Sequence, residues 1–155
     1  MHEYVIRRAS ESDLPHLQAL NQKLFEKECR DYDQALQVSW PYDTAGEKYF
    51  REAIQNNYVA VAECNGEIVG YLAGSFGSRS YRNECYAEVD NMFVEPGFRS
   101  CGVGGLLMKD FLQYCKKSGV EVVKVTAYAA NEAAIKFYRK NGFADFELTL
   151  KRQLV

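Results

Sequence analysis

The sequence predicts an α/β fold with an α+β mixed sheet: central strands, mostly antiparallel, flanked by helices. Three observations carry this expectation. Two β runs, Tyr58 to Cys64 and Ile68 to Gly74, meet at Asn65-Gly66, the two-residue signal of a hairpin. From Tyr86 to Ala127 a strand, an amphipathic helix and a second strand follow one another, an order that demands a parallel pair. The length, 155 residues, suits one domain over 1–155, with no repeat, low-complexity tract or linker to divide it.

Tyr4 to Arg8 reads as the first strand. Ser10-Glu11-Ser12-Asp13 then offers capping oxygens to a helix that begins near Leu14 or Pro15 and runs to about Cys29. Periodicity lapses between Arg30 and Asp43, where Pro41 falls, so this stretch is a loop, and a second helix spans about Thr44 to Asn56. After the hairpin, Tyr86 to Val94 is rich in β-branched and aromatic residues and stops at Pro96-Gly97. Val103, Leu106, Leu107, Phe111, Tyr114 and Cys115 recur at helical spacing, and Gly119 ends that helix. Val120 to Ala127 is the next strand, Glu132 to Lys140 a short helix stopped by Asn141-Gly142, and Phe143 to Leu150 a last strand.

Hydrophobic residues make up 47% of the chain and charged residues 26%, the balance of an ordinary globular domain. Nineteen basic against 21 acidic residues give a charge of -2, so no global positive field exists to hold a nucleic acid. No stretch approaches the roughly 18 apolar residues of a membrane span, and no membrane partner is expected. Cys29, Cys64, Cys85, Cys101 and Cys115 form no C-x-x-C pair and no Cys/His cluster. They read as reduced thiols of a cytoplasmic protein, and no metal is expected.

Arg99-Ser100-Cys101-Gly102-Val103-Gly104-Gly105 lies between a strand and the start of an amphipathic helix. Glycines there let the backbone approach a ligand, while the first helical N–H groups and the helix dipole favour negative charge. Such a turn suits a pyrophosphate, with Arg99 as a permanently charged donor at its lip. Glycines can also make nothing more than a tight turn, so the context decides. A Walker loop needs Gly-Lys-Ser/Thr where Gly104-Gly105-Leu106-Leu107 stands. A dinucleotide fingerprint starting at Gly102 needs Gly or Ala where Leu107 stands, and no acidic residue closes the next strand near Val125, which disfavours a dinucleotide oxidoreductase.

The stretch Val94 to Gly105, with Arg99-x-x-Gly102-x-Gly104, is similar to the coenzyme A pyrophosphate loop of the GCN5-related N-acetyltransferase (GNAT) superfamily. Asn131-Glu132-Ala133-Ala134-Ile135-Lys136-Phe137-Tyr138-Arg139-Lys140-Asn141-Gly142-Phe143 resembles that superfamily's N-x-x-A-x-x-x-Y-x-x-x-G-F element. Two elements in the right order are far more specific than either alone. The resemblance implies a GNAT-like acyl-CoA N-acyltransferase fold with splayed strands four and five, and an acetyl-CoA-dependent N-acetyltransferase. It implies that Met92, Phe93 and Val94 hold the pantetheine arm by their backbone. It assigns Arg99, Ser100, Cys101, Gly102, Val103, Gly104 and Gly105 to the pyrophosphate and Asn131 and Tyr138 to the coenzyme.

Acyl transfer to an amine needs a neutral amine, a stabilised oxyanion and a proton for the departing thiolate. By the resemblance Tyr138 supplies that proton; by spacing alone it is equally a core aromatic beside Ala134 and Ile135. Asn131 is a good N-cap for the helix it begins as well as a coenzyme contact. Strand alternation puts Glu88 and Asp90 on one face, with Met92 and Val94 continuing it. Glu88 resembles the strand-four glutamate of histone-type members, so Glu88 is the first candidate base, with Asp90 and ordered water as alternatives. Cys101 sits at a helix N-terminus beside Arg99, but no His/Asn partner is recognisable, and it reads as a tolerated loop residue open to oxidation.

The acidic run Glu26, Glu28, Asp31 and Asp33 and the aromatics Tyr32, Trp40 and Tyr42 could line a site for a cationic amine; interleaved with Lys27 and Arg30, the same run reads as a solvated helix end. Small-molecule and peptide amines are both open as acceptors, and the resemblance includes homodimers among the states open to the chain. The competing reading is a non-catalytic module that binds coenzyme A for regulation.

Overall fold

The computed structural model describes residues 2–155. Strand β1 (Tyr4–Arg8) is followed by helices α1 (Leu14–Asp31) and α2 (Thr44–Asn56), then strands β2 (Tyr58–Cys64), β3 (Glu67–Ser78) and β4 (Cys85–Val94). Helix α3 (Val103–Lys117), strand β5 (Val122–Val125) and helix α4 (Glu132–Lys140) complete the order. The strands form one sheet in the order β1-β2-β3-β4-β5, antiparallel except for the parallel β4–β5 pair. This is the mixed sheet flanked by helices that the sequence predicts. Asn65 and Gly66 make the β2–β3 turn with φ of 53° and 82°, the left-handed pair of a type I′ hairpin.

Helices cover both faces of the sheet, so its central strands read as near-continuous apolar runs. Tyr58, Ala60 and Ala62 of β2 pack with Leu107, Met108 and Phe111 of α3 on one face. Val59 and Val61 turn to the other, where they meet Leu17 and Leu20 of α1 and Phe50 and Ala53 of α2. Each fully buried Leu or Phe stabilises this arrangement by about 1.5–3 kcal/mol.

At the β1–α1 corner, Arg7 forks onto Asp13, with Nη1 to Oδ2 at 2.8 Å and Nη2 to Oδ1 at 2.9 Å, while its Nε donates to Glu63 at 2.9 Å. The guanidinium holds the Asp13 carboxyl at about 2, against an ordinary value near 3.8. A carboxylate depressed in the folded state stabilises above its unfolded value and loses that contribution as pH falls through its folded one. Asp13→Asn is expected to cost about 2 kcal/mol at neutral pH. Urea titrations at pH 7 and pH 2 check it: the gap between variant and parent should close as the pH falls from about 4 to 2.

Two expectations are corrected. Strand β5 is Val122–Val125, shorter than Val120 to Ala127. Phe143 to Leu150 is not a strand: the segment pairs with no edge of the sheet.

Candidate active site

The parallel ladder joins Tyr86–Val89 to Val122–Val125 and ends there, at Val89↔Val125. Beyond it β4 carries a bulge. Ala73 faces Asn91 but Gly74 faces Val89, so Asp90 is the extra residue. A bulge bends its strand and re-aims the side chains past it. Strands four and five splay from this point. Glu95 N–H donates to Val69 C=O at 2.9 Å, so the alternation of the ladder turns the backbone of Phe93 toward β3 and that of Met92 and Val94 into the gap.

The bulge also overturns the expected alternation. Val89 packs on the α3 face and so do Met92 and Val94, while Phe93 packs on the α1–α2 face. Asp90 stays on that second face: Tyr49 of α2 donates to its Oδ2 at 2.9 Å and Ser75 to its Oδ1 at 2.6 Å. Glu88, opposite Ser75 across the ladder, therefore does not share a face with Met92 and Val94.

Opposite the gap, Ser100 (φ 63°) and Gly102 (φ 86°) fold the chain back into α3. At Gly102 a side chain would meet no neighbour, so glycine is required by its left-handed backbone and not by space. The first helical bond runs from Leu106 N–H to Gly102 C=O at 3.0 Å. The N–H groups of Val103, Gly104 and Gly105 precede it and point out of the helix end. At Gly104 a Cβ would stand 3.2 Å from the Phe137 ring, so this glycine lets α4 close on the turn. Arg99 Nε donates to Val94 C=O at 2.8 Å, fixing its guanidinium 5.0 Å over the Phe93 ring.

These parts enclose a cleft of about 470 Å³ lined by Met92, Phe93, Val94, Arg99, Ser100, Gly102, Gly104, Gly105, Asn131 and Tyr138. Of the other residues expected at the site, Val103 is buried in the core, and exposed Cys101 and half-buried Glu88 line neither this cleft nor its neighbour. Asn131 caps α4, its Oδ1 accepting from Ala134 N–H at 3.1 Å. Tyr138, edge-on to Phe143 at 5.8 Å, is pushed up to about 12, first by burial and then by the charge of Glu28. It holds its proton throughout the physiological range.

A second cleft, of about 370 Å³, joins the first at Leu24, Glu28, Met92 and Tyr138. Phe25, Trp40 and Tyr49 wall it, Trp40 stacking on Phe25 at 5.7 Å, and Asp90 and Asn91 lie at its base. Beneath, Asn91 Nδ2 donates to Tyr49 at 3.0 Å and the Tyr71 hydroxyl donates to Asn91 Oδ1 at 2.6 Å. Buried Asn21 donates to that hydroxyl at 2.9 Å, and this polar chain fixes Asp90 from below.

Glu28, which the sequence places only in an acidic run, lines both clefts. Half-buried where the clefts meet, its carboxyl is raised above the ordinary range, chiefly by desolvation. The rest of the expected acceptor set divides. Trp40 joins the second cleft, but Tyr32 stacks on Tyr128 at 5.4 Å, Tyr42 is exposed, and Asp31 is paired with Arg30 and Lys27.

The model of the acetyltransferase (GNAT) family matches residues 21–143. The chain is 29% identical over 147 residues to an uncharacterized N-acetyltransferase of Methanocaldococcus jannaschii, covering 94% of this chain and 62% of that relative. The chain thus spans less than two thirds of that relative's length. A mutant of the BH1408 protein of Bacillus halodurans superposes with a TM-score of 0.87 at 20% identity, covering 97% of this chain and 99% of its own. AAC(6')-Iy, an aminoglycoside N-acetyltransferase in complex with a bisubstrate analogue built on CoA, superposes with a TM-score of 0.77 at 18% identity, covering 97% of each chain.

Proposed function

Because the chain belongs to the acetyltransferase (GNAT) family, we propose that it transfers the acetyl group of acetyl-CoA directly to a primary amine within a ternary complex. The observation that supports the reading is the junction of the two clefts, which Met92, Glu28 and Tyr138 all line, so that a carboxyl and a phenol face the same space. Helix α3 offers uncommitted N–H groups and Arg99 a charged donor to the pyrophosphate, and Gly105 leaves open space for it, since a Cβ there meets nothing within 4 Å. Met92 and Val94 offer backbone groups to the pantetheine arm, one N–H polarising the thioester carbonyl. The second cleft, aromatic and acidic, takes the amine.

Glu28, rather than Glu88, accepts the ammonium proton, directly or through water. The free amine attacks the thioester carbon, the new C–N bond forms and the C–S bond breaks. Tyr138 passes its proton to the departing thiolate, and the second amine proton, released as the amide forms, returns through water to the phenolate. Thiol release is the test: the protein with acetyl-CoA is offered polyamines, aminoglycosides, amino acids and peptides. Release with one amine class supports the enzyme. Tight coenzyme binding with no release across the panel supports the non-catalytic module instead.

Glu28→Gln is expected to lower kcat/KM at neutral pH by about 10²-fold or more. The parent's activity should rise with pH through the Glu28 ionisation, which burial has moved above the ordinary carboxylate range. A pH profile of both proteins checks this, since the variant should lose that acid limb, whereas Glu88→Gln should keep it. An acid limb retained in Glu28→Gln would assign the base elsewhere.

A further inference from the structure

The second cleft carries more negative charge than the transfer step requires. Two carboxyls line it, Glu28 where it meets the first cleft and Asp90 at its base, and among the described residues no Lys, Arg or His lines it. Lys27, beside Glu28 in sequence, lines only the first cleft and is engaged with Asp31 at 3.5 Å. Asp90 is the residue that the bulge adds to β4, and it is exposed. Each of its oxygens accepts from one hydroxyl, Tyr49 at 2.9 Å and Ser75 at 2.6 Å, and no cation among the described residues pairs with it. Elsewhere on α1, Asp31 is paired with Arg30, and just past β4 Glu95 is paired with Lys23. Two neutral donors fix the direction of a carboxylate without cancelling its charge.

That uncancelled charge selects among amines. Where the acceptor lies in this cleft, Glu28 must receive a proton from its ammonium before attack, and the charge of Glu28 is then spent. With a single amine, Asp90 would be left as an uncompensated carboxylate beside it, favouring the ammonium form that cannot attack. A second ammonium on the same molecule pairs with Asp90 and removes that opposition. An α-amino acid fails for the opposite reason, since its carboxylate would meet Asp90 and Glu28 with no cation to receive it. The walls select what joins the two amines. Phe25, Trp40 and Tyr49 offer rings, and the polar groups beside them are committed: the Tyr49 hydroxyl donates to Asp90 and accepts from Asn91, whose Oδ1 accepts from Tyr71. Sugar hydroxyls buried there would lack partners, whereas a methylene chain needs none.

Resting on the acetyl-transfer reading of this cleft, we infer that Asp90 holds the distal ammonium of an alkyl diamine whose near amine is the acceptor at Glu28. Asp90 is then the residue that separates diamines from monoamines and amino acids, and the bulge is the backbone feature that presents it.

Calorimetric titration of the full chain in the presence of coenzyme A, which has no acetyl group to transfer, tests this. The probes are α,ω-diaminoalkanes of three to six carbons, each beside the monoamine and the ω-amino acid of the same length. The expected result is a diamine that binds about 10-fold or more tighter than its monoamine, with the amino acid weaker than either. In Asp90→Asn that diamine should fall to the affinity of its monoamine. A rise in Tm with coenzyme A checks that the variant is folded, and an Asp90 that only held the fold would lower all three probes together. No diamine tighter than its monoamine in the parent, or a preference that survives Asp90→Asn, would overturn the distal site; should the variant not fold, the comparison in the parent decides alone. Thiol release from acetyl-CoA with the same probes separates this site from the transfer step. A diamine preference without release supports the distal site and removes the transfer, whereas equal release with monoamines and diamines keeps the transfer and overturns the distal site.

Discussion

Tyr138→Phe is expected to lower kcat by about 10²–10⁴-fold, the range typical of a lost general acid, while leaving the KM for acetyl-CoA nearly unchanged. The side chain lies where the clefts meet, and burial and Glu28 both favour its neutral form. The ring keeps its edge contacts with Phe137 and Phe143 in the variant, so packing is preserved and only the proton is lost. Steady-state kinetics with the accepted amine decide the matter. A phenylalanine variant with the parent's kcat would make Tyr138 a packing residue, and the thiolate would then leave by another proton source.

The second large effect is on stability. Replacing glycine by alanine inside a helix ordinarily gains about 1 kcal/mol. Gly46→Ala should instead cost more than about 4 kcal/mol. A Cβ at this position would stand 1.9 Å from the Trp40 carbonyl oxygen and 2.8 Å from the Pro41 Cα, both of them backbone atoms that no rotamer change can move. The Trp40–Tyr42 turn must then lift off α2. A fall of roughly 10 °C in Tm follows for a domain of this length. Because Trp40 walls the second cleft, proposed above to take the amine, the folded fraction should also show a raised KM for the amine with acetyl-CoA affinity spared. A variant as stable as the parent would contradict the packing described for this corner.

The legible parts of this fold were those encoded locally. Asn65-Gly66 specifies its turn by backbone preference alone, and the stripe from Val103 to Cys115 specifies α3 by its period. The turn before α3 was legible because glycines followed by an apolar helical stripe mark a tight turn into a helix. The bulge at Asp90 was not, since nothing in Glu88-Val89-Asp90-Asn91 marks an extra residue; it appears only once β3 supplies the partner register. Strict alternation carried across it grouped Glu88 with Met92 and Val94, which the bulge puts on the opposite face. Glu28, proposed above as the proton acceptor, escaped notice in the sequence for a related reason. Its neighbours Met92 and Tyr138 are brought to it by tertiary packing, and in sequence it looks like one acid among several at a helix end. The segment after Phe143 shows the converse, a strand period that pairs with no edge of the sheet.

The central claim is that the turn before α3 holds the pyrophosphate of coenzyme A, and thermal unfolding with acetyl-CoA, coenzyme A and NAD side by side tests it most directly. At 100 times the dissociation constant, binding stabilises by about 2.7 kcal/mol, or roughly 5–10 °C here. Gly105→Asp is the matched control. Its side chain enters open space and its charge suits a helix N-terminus, so the fold should keep its own Tm, while the carboxylate repels the phosphates. A rise with both coenzymes and none with NAD, abolished in Gly105→Asp, is the predicted result. No rise with either coenzyme, or a rise that survives Gly105→Asp, would contradict it.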